Sequence, residues 1–107
     1  MSSEFEKVAD VSEIPKGRMK MVKLGNVDVL IANVDGNFFA IGNRCTHVGG
    51  PLAKGVLQNY IVQCPLHGSK FDVRNGNVLG GPARTPEPSF EVKVDNNQIL
   101  LKKPVGS

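Results

Sequence analysis

The sequence has no Trp, and aromatic residues make up only 6% of the chain. Aromatic side chains supply much of the buried area of small cores, so a chain of 107 residues that is poor in them would gain from a covalent or metal cross-link. This length fits a single domain, residues 1–107. Twelve Gly and seven Pro imply many turns and short elements, which favours an all-β fold.

Long apolar runs and helical periodicity are also missing. No stretch reaches the roughly twenty apolar residues that a membrane helix needs, and the first residues carry acids where a signal peptide would be apolar. We therefore expect no membrane segment and a cytoplasmic protein. The start at Met1 and the polar end at Ser107 favour a free-standing chain. No window of about 12 or more residues keeps a 3.6-residue apolar period, and this absence of helical periodicity favours strands.

A block of basic residues is absent as well, although the formal net charge is +3. Proteins that bind nucleic acids concentrate their cations in patches or stripes, so we expect no nucleic-acid partner. We interpret the lysines as a solvated surface, and a mildly basic face for an acidic protein partner is the alternative. These lysines are spread along the chain among acids: Lys20, Lys23, Lys70, Lys93, Lys102 and Lys103.

Branched and alternating apolar segments predict short antiparallel strands. The strongest prediction pairs residues 27–34 with residues 38–41 through Asp35-Gly36, because both positions of a type I′ hairpin turn need a positive φ. The whole pattern predicts an antiparallel β-sandwich or small barrel of short hairpins, with functional groups on its loops. The further predicted strands are 5–9, 19–24, 60–64, 70–73, 78–79, 90–94 and 99–101.

The segment 80–88 cannot form regular structure, because it contains three Pro and two Gly. One interpretation makes it a plain connector between hairpins. The other makes it a rigid lid over the Cys and His residues described next. The segment 49–55 has the same two interpretations.

The chain has only two Cys and two His, and all four lie between residues 45 and 67. They form two arms, Cys45-Thr46-His47 and Cys64-Pro65-Leu66-His67, with sixteen residues between them. Four metal-binding donors in one segment, and none elsewhere, indicate a metal site.

The residues alone leave several chemistries open. A catalytic Cys–His pair needs only one thiolate and one base, and a disulfide would leave both histidines without a role. A single tetrahedral Zn²⁺ is a stronger alternative, although structural zinc sites usually keep like ligands in one arm. Arms that each mix sulfur with nitrogen match a binuclear iron–sulfur cluster in which two His replace two Cys on one iron. Two buried Cys and two unrelated surface His would need no ligand at all.

The two arms and their flanks resemble the Rieske ferredoxins. The pattern Cys45-x-His47, followed by Cys64-Pro65-x-His67-Gly68-Ser69-x-Phe71, has the order and spacing of that family's two motifs. Gly81-Pro82-Ala83 falls where the family has a proline loop over its cluster. The resemblance covers most of the chain and is strongest over 38–83. It implies a Rieske fold with a loop-borne cluster-binding part, about 42–86, and one [2Fe-2S] cluster per chain.

The resemblance also implies residue roles. Cys45 and Cys64 would bind one iron as thiolates, and His47 and His67 would bind the other as neutral imidazoles. Five residues would surround the cluster, as donors of hydrogen bonds or as its cover: Gly49, Gly50, Gly68, Ser69 and Pro82.

This sequence departs from the high-potential relatives of respiratory complexes. Their two additional cysteines, joined as a disulfide, are replaced here by Gly50 and Leu66, and a Tyr is replaced by Phe71. Fewer donors stabilise the reduced cluster less. We therefore predict a disulfide-lacking protein with a potential in the lower part of the Rieske range of roughly −150 to +300 mV.

The function that the resemblance implies is one-electron transfer, not enzymatic catalysis. Electrons would pass from a reductase, often flavin-dependent, to a terminal oxygenase or another redox enzyme. A subunit of a larger redox enzyme is the alternative. We expect a monomer that docks weakly and transiently through a patch formed by His47, Val48, Leu66, His67 and Pro82.

Overall fold

The computed structural model describes residues 5–46, 49–66 and 68–102. Within these ranges the chain forms strands and two single-turn 3₁₀ helices, Val11–Glu13 and Leu52–Lys54. No helix in this part is long and apolar enough to span a bilayer. The strands are β1 (Phe5–Asp10), β2 (Met19–Leu24), β3 (Val27–Val34), β4 (Asn37–Gly42), β5 (Val56–Gln58), β6 (Ile61–Gln63), β7 (Lys70–Asp72), β8 (Val78–Gly80), β9 (Ser89–Phe90), β10 (Val92–Asp95) and β11 (Gln98–Lys102).

The strands pair into three antiparallel sheets, which confirms the all-β prediction. The first sheet has the order β1-β11-β10, and the second has the order β2-β3-β4-β9. The third sheet, β5-β6-β7-β8, is formed by residues of the predicted cluster-binding part. Both arms that carry the cysteines are loops that lead into or out of this third sheet.

The turns follow the chemistry of their residues. Asp35 and Gly36 have φ values of 54° and 91°, and Val34 pairs with Asn37 across the turn. Asn96 and Asn97 have φ values of 51° and 63° and join β10 to β11 in the same way. Two consecutive positive φ values are what a type I′ turn requires, so the predicted 27–41 hairpin is confirmed.

Strand β3 is buried on both faces, which explains its run of branched apolar residues. Val29 and Ile31 point into a core shared with β1, β2 and β11, whereas Leu30 and Ala32 point into a second core. Successive side chains of a strand face opposite sides of its sheet, so one strand serves both cores. The second core also contains Cys45, Leu52, Val62, Cys64, Phe71, Val73 and Ala83.

Two strand assignments differ from the predictions. Strand β5 was not predicted. The predicted strand 90–94 is interrupted at Glu91, because Ser89 and Phe90 pair with β4 while Val92–Asp95 pairs with β11. The chain thus passes from one sheet to another at this point. Its alternating pattern reflects two short strands and not one half-buried strand, and Val94 is half exposed.

Candidate metal centre

The two arms have matching backbone geometry. The Cys45 N–H donates to the Gly50 carbonyl (2.8 Å), and the Cys64 N–H donates to the Ser69 carbonyl (2.7 Å). Each arm therefore belongs to a loop, residues 45–50 or residues 64–69, and the two loops have the same length and are closed by the same bond. From here on, the first and second arms denote these two loops. Gly49 and Gly68 hold the same place in the two loops, with φ values of 78° and 79°. Glycine adopts this left-handed conformation without steric cost, which accounts for a glycine in each arm.

The loops bring the two thiols together in the second core. Cys45 and Cys64 are each 2% exposed and neither forms a disulfide. The two thiols are close enough for Cys45 to raise the pKa of Cys64. A Cβ added to Gly50 would lie 3.1 Å from Cys64 Sγ, so the first loop approaches the sulfur of the second closely and a side chain here would require a small shift.

Electrostatics at the thiols indicate what they can bind. Burial raises the pKa of the Cys64 thiol, the Leu66 N–H (3.4 Å from Sγ) opposes this effect, and the neighbouring Cys45 thiol adds to it. Two adjacent buried thiolates repel each other and lose solvation, so they are costly unless a cation stabilises both. A bound metal ion is such a cation, and its binding deprotonates the thiols. The thiol pair therefore fits a metal centre.

The segment 80–88 bonds to both arms, in agreement with its interpretation as a lid. The Ala83 N–H donates to Ser69 Oγ (3.1 Å), and Thr46 Oγ1 donates to the Thr85 carbonyl (2.6 Å). A Cβ on Gly81, whose φ is 86°, would lie 2.6 Å from the Cα of Ser69. The lid and the second arm thus touch backbone to backbone. Ser69 is completely buried and retains its own O–H for a further partner.

The other predicted residues have different positions. Gly68 lies beside the Gln63 side chain, while Gly49 and Pro82 are exposed. Leu66 of the predicted docking patch is 46% exposed. His47, Val48 and His67 lie outside the described residues.

Sequence reasoning did not single out Glu87. Its side chain is 5% exposed, its carboxylate accepts a bond from the Thr46 N–H, and its Oε2 has no hydrogen-bond partner among the described residues. Burial raises the pKa of Glu87 to about 7. An acid between Pro86 and Pro88 has the composition of an exposed loop, so no sequence signal marks its burial.

The buried Glu87 carboxyl should make stability depend on pH. Its folded-state pKa lies above the ordinary value of 4.5, so ionisation opposes folding. This cost is absent below about pH 4.5, grows up to about pH 7 and is then constant. Glu87→Gln should therefore raise the free energy of unfolding at pH 8 by up to about 3 kcal/mol, and much less at pH 5.

Denaturant unfolding followed by far-UV circular dichroism at the two pH values measures this effect. Glu91→Gln is the matched control, because its side chain is 65% exposed and its ion pair with Lys102 is long, at 3.9 Å. Equal pH profiles for the two variants would contradict the prediction.

Two buried thiols on matched loops, covered by a third loop, define a small β-protein with a site that fits a metal centre. Comparison with known proteins identifies its family. The model of the Rieske [2Fe-2S] domain matches residues 4–96. The chain is 30% identical over 102 residues to the ferredoxin component of the naphthalene 1,2-dioxygenase/salicylate 5-hydroxylase systems of Ralstonia sp, a match over 95% of this chain and 98% of that protein. The chain therefore belongs to the Rieske [2Fe-2S] domain family.

A solved structure and a longer relative complete the comparison. The ferredoxin of carbazole 1,9a-dioxygenase from Nocardioides aromaticivorans IC177 superposes with a TM-score of 0.92 at 28% identity, over 95% of this chain and 100% of that chain. Apoptosis-inducing factor 3 of Mus musculus is 35% identical over 89% of this chain, which spans only 16% of that protein. The Rieske [2Fe-2S] domain is the part that this chain shares with these relatives, and the cofactor of this domain is a [2Fe-2S] cluster.

Proposed function

We propose that the cluster is held by Cys45 and Cys64 through their thiolates and by His47 and His67 through neutral imidazoles. The observation that carries this proposal is the meeting of two buried thiols on loops of matching geometry. When bound, a cluster of this type supplies a one-electron redox couple. Each arm then contributes one sulfur and one nitrogen, so the two loops share the ligand set equally.

The residues around the thiols would tune the potential. The Leu66 N–H points at Cys64 Sγ, and we assign donor roles to Ser69 Oγ and to the backbone N–H groups of Gly50 and Gly68. Gly49 would flank the cluster without such a role, because its N–H donates to the Cys45 carbonyl (2.7 Å). Donors favour the more negative, reduced state. Cys45 and Cys64 are the only cysteines and both are free, so this protein has no disulfide to raise its potential. The lower part of the Rieske range remains our prediction.

We further propose that the protein is a one-electron carrier and not an enzyme, and that it passes electrons from a reductase to a terminal oxygenase. The relative from Ralstonia is named as the ferredoxin component of dioxygenase and hydroxylase systems. This name supports a terminal oxygenase as the acceptor and a reductase as the donor, and the family resemblance implies a flavin-dependent reductase. We expect the protein to be cytoplasmic and monomeric. We also expect it to fold as one Rieske domain, because β3 packs into both cores.

The proposed docking patch consists of His47, Val48, Leu66, His67 and Pro82. Leu66 and Pro82 are exposed, and exposed apolar side chains suit weak, transient contacts. Leu66→Asp should slow electron transfer to the acceptor about tenfold, equivalent to roughly 1.4 kcal/mol, while the visible and EPR spectra of the cluster stay unchanged. The measurement uses the reductase and terminal oxygenase of a naphthalene dioxygenase system as donor and acceptor.

Val94→Asp is the control for this experiment. Val94 is 50% exposed, nearly as Leu66 is, but lies in the first sheet. Equal rates for the two variants would reject the docking patch. A wild-type protein without a reducible iron–sulfur signal would reject the carrier function itself.

A further inference from the structure

The charges of the chain are distributed unevenly. Residues 42–86, the cluster-binding part, contain five Lys or Arg and one Asp, a formal charge of +4. The other residues contain eight Lys or Arg and nine Asp or Glu, a formal charge of −1. With Glu87 of the lid included, residues 42–87 carry a formal charge of +3 and the other residues a formal charge of 0, so the net positive charge of the protein lies in the part that carries the cluster.

The single acid of residues 42–86 forms an ion pair with a neighbouring Arg. Asp72 accepts two bonds from the guanidinium of Arg74 (3.0 and 2.9 Å), which also lies over the ring of Tyr60. The other four cations are exposed, and none has an ion-pair partner among the residues that the structure describes. We call this set the basic collar: Arg44, Lys54, Lys70 and Arg84.

The basic collar lies on the loops that form the metal centre. Arg44 directly precedes Cys45 and pairs with Pro51 across the base of the first arm. Lys70 directly follows Ser69, and Arg84 follows Ala83, whose N–H bonds to Ser69. Lys54 ends the 3₁₀ helix after the first arm.

Several cations elsewhere are paired with nearby acids, whereas Lys16 and Arg18 form no ion pair among the described residues. Lys7 pairs with Asp10 (3.1 Å). The other two ion pairs of the first strands join Lys20 to Glu13 (2.8 Å) and Lys23 to Asp28 (3.3 Å). The excess of basic residues in 42–86, against a balance of charges elsewhere, indicates a positive field centred on the cluster-binding part. Such a field acts over about a Debye length and steers partners of opposite charge.

We propose that the basic collar docks an acidic surface of the redox partner around the apolar Leu66 and Pro82. This inference rests on the proposed function and adds the chemistry of the partner to it. Complementary charge around a small apolar contact accelerates encounter and fixes orientation more than it adds affinity. Nucleic acid fits less well, since single strands bind by stacking on exposed aromatic rings. The two aromatic residues of this part are the buried Phe71 and Tyr60, which is covered by Arg74.

The first test measures oxidation of the reduced protein by ferricyanide, an anionic probe. One electron leaves the reduced protein and converts ferricyanide to ferrocyanide, with no proton or atom transferred. Lys70→Glu/Arg84→Glu should slow this reaction at least about fivefold at low ionic strength, and the difference should vanish in roughly 0.5 M salt. With the cationic oxidant tris(phenanthroline)cobalt(III) the same variant should react faster than the wild type.

The control changes the net charge equally at a distance from the arms. Lys7→Glu/Lys93→Glu alters the first sheet, where Lys93 lies over the ring of Phe5 and Lys7 forms only an exposed ion pair. This variant should change either rate less than about twofold. Equal effects of the two double variants would overturn the proposal, because only net charge would then matter.

A second test measures binding without electron transfer. Fluorescence anisotropy of a labelled hexaglutamate peptide should show salt-sensitive binding to the oxidised wild type and to the Lys7/Lys93 variant, and at least about fivefold weaker binding to the Lys70/Arg84 variant. Tighter binding of an oligothymidine than of the peptide would overturn the choice of an acidic protein. The proposed function and this inference fail in different ways. If the proposed function is wrong, the wild type lacks a reducible cluster. If this inference is wrong, the wild type is still a working carrier, but the Lys70/Arg84 variant has the same salt dependence as the wild type.

Discussion

Cys64→Ser is expected to yield a colourless protein with at least about tenfold less iron and labile sulfide than the wild type. The serine hydroxyl does not ionise at neutral pH, and thiolate is the ligand that iron–sulfur clusters require. Cys64 Sγ lies beside Cys45 and receives the Leu66 N–H at 3.4 Å, so its loss removes half of the sulfur ligands. Metal analysis and visible absorbance of freshly purified protein measure the result.

Lys70→Ser is the control for this loss of iron. It introduces the same residue just beyond the same arm, at an exposed position, and should leave the iron content unchanged. A Cys64→Ser variant with full iron would contradict the proposed ligand set. Wild-type protein that contains one zinc and no labile sulfide would instead support the tetrahedral zinc alternative.

Gly81→Ala is expected to destabilise the protein by about 2–4 kcal/mol and to lower its iron content. At a φ of 86° the added Cβ would lie 2.6 Å from Ser69 Cα and 2.9 Å from the Gly68 carbonyl oxygen. Both neighbours are backbone atoms, so no side-chain rotation relieves the clash. The lid must move away from the second arm and break the bond from the Ala83 N–H to Ser69 Oγ.

The adjacent glycine provides the control. A Cβ on Gly80 would meet nothing within 4 Å, so Gly80→Ala should change stability by less than about 1 kcal/mol. Denaturant midpoints and iron content of the two variants measure the difference. Equal values would show that the lid can shift without affecting the metal centre.

The parts of the fold that depend on local chemistry could be predicted from sequence. The 27–41 hairpin follows from Asp35-Gly36, whose positive φ values are set by the residues themselves. Strand β5 could not be predicted, because three residues carry too little pattern and their pairing with β6 is set by tertiary contacts. The split of 90–94 between two sheets was missed because an alternating pattern does not specify which sheet a strand joins.

The site could be predicted where spacing alone carries the information. The two Cys/His arms indicated a metal centre, and the structure brings Cys45 and Cys64 together as buried thiols. The burial of Glu87 depends on how the lid folds over Thr46, which no short motif records. The basic collar was missed because the lysines were considered over the whole chain. The excess of basic residues is seen when the charges of the cluster-binding part are counted by themselves, and the ion pairs of Lys7, Lys20 and Lys23 are seen only in three dimensions.

The position of strand β3 between the two cores affects how the protein unfolds. Because its alternate side chains belong to both cores, neither core can melt while the other keeps its full set of contacts. We therefore expect the metal-bearing end to unfold together with the rest in one cooperative step. We expect heating or denaturant to release the cluster of the wild type in the same step as global unfolding.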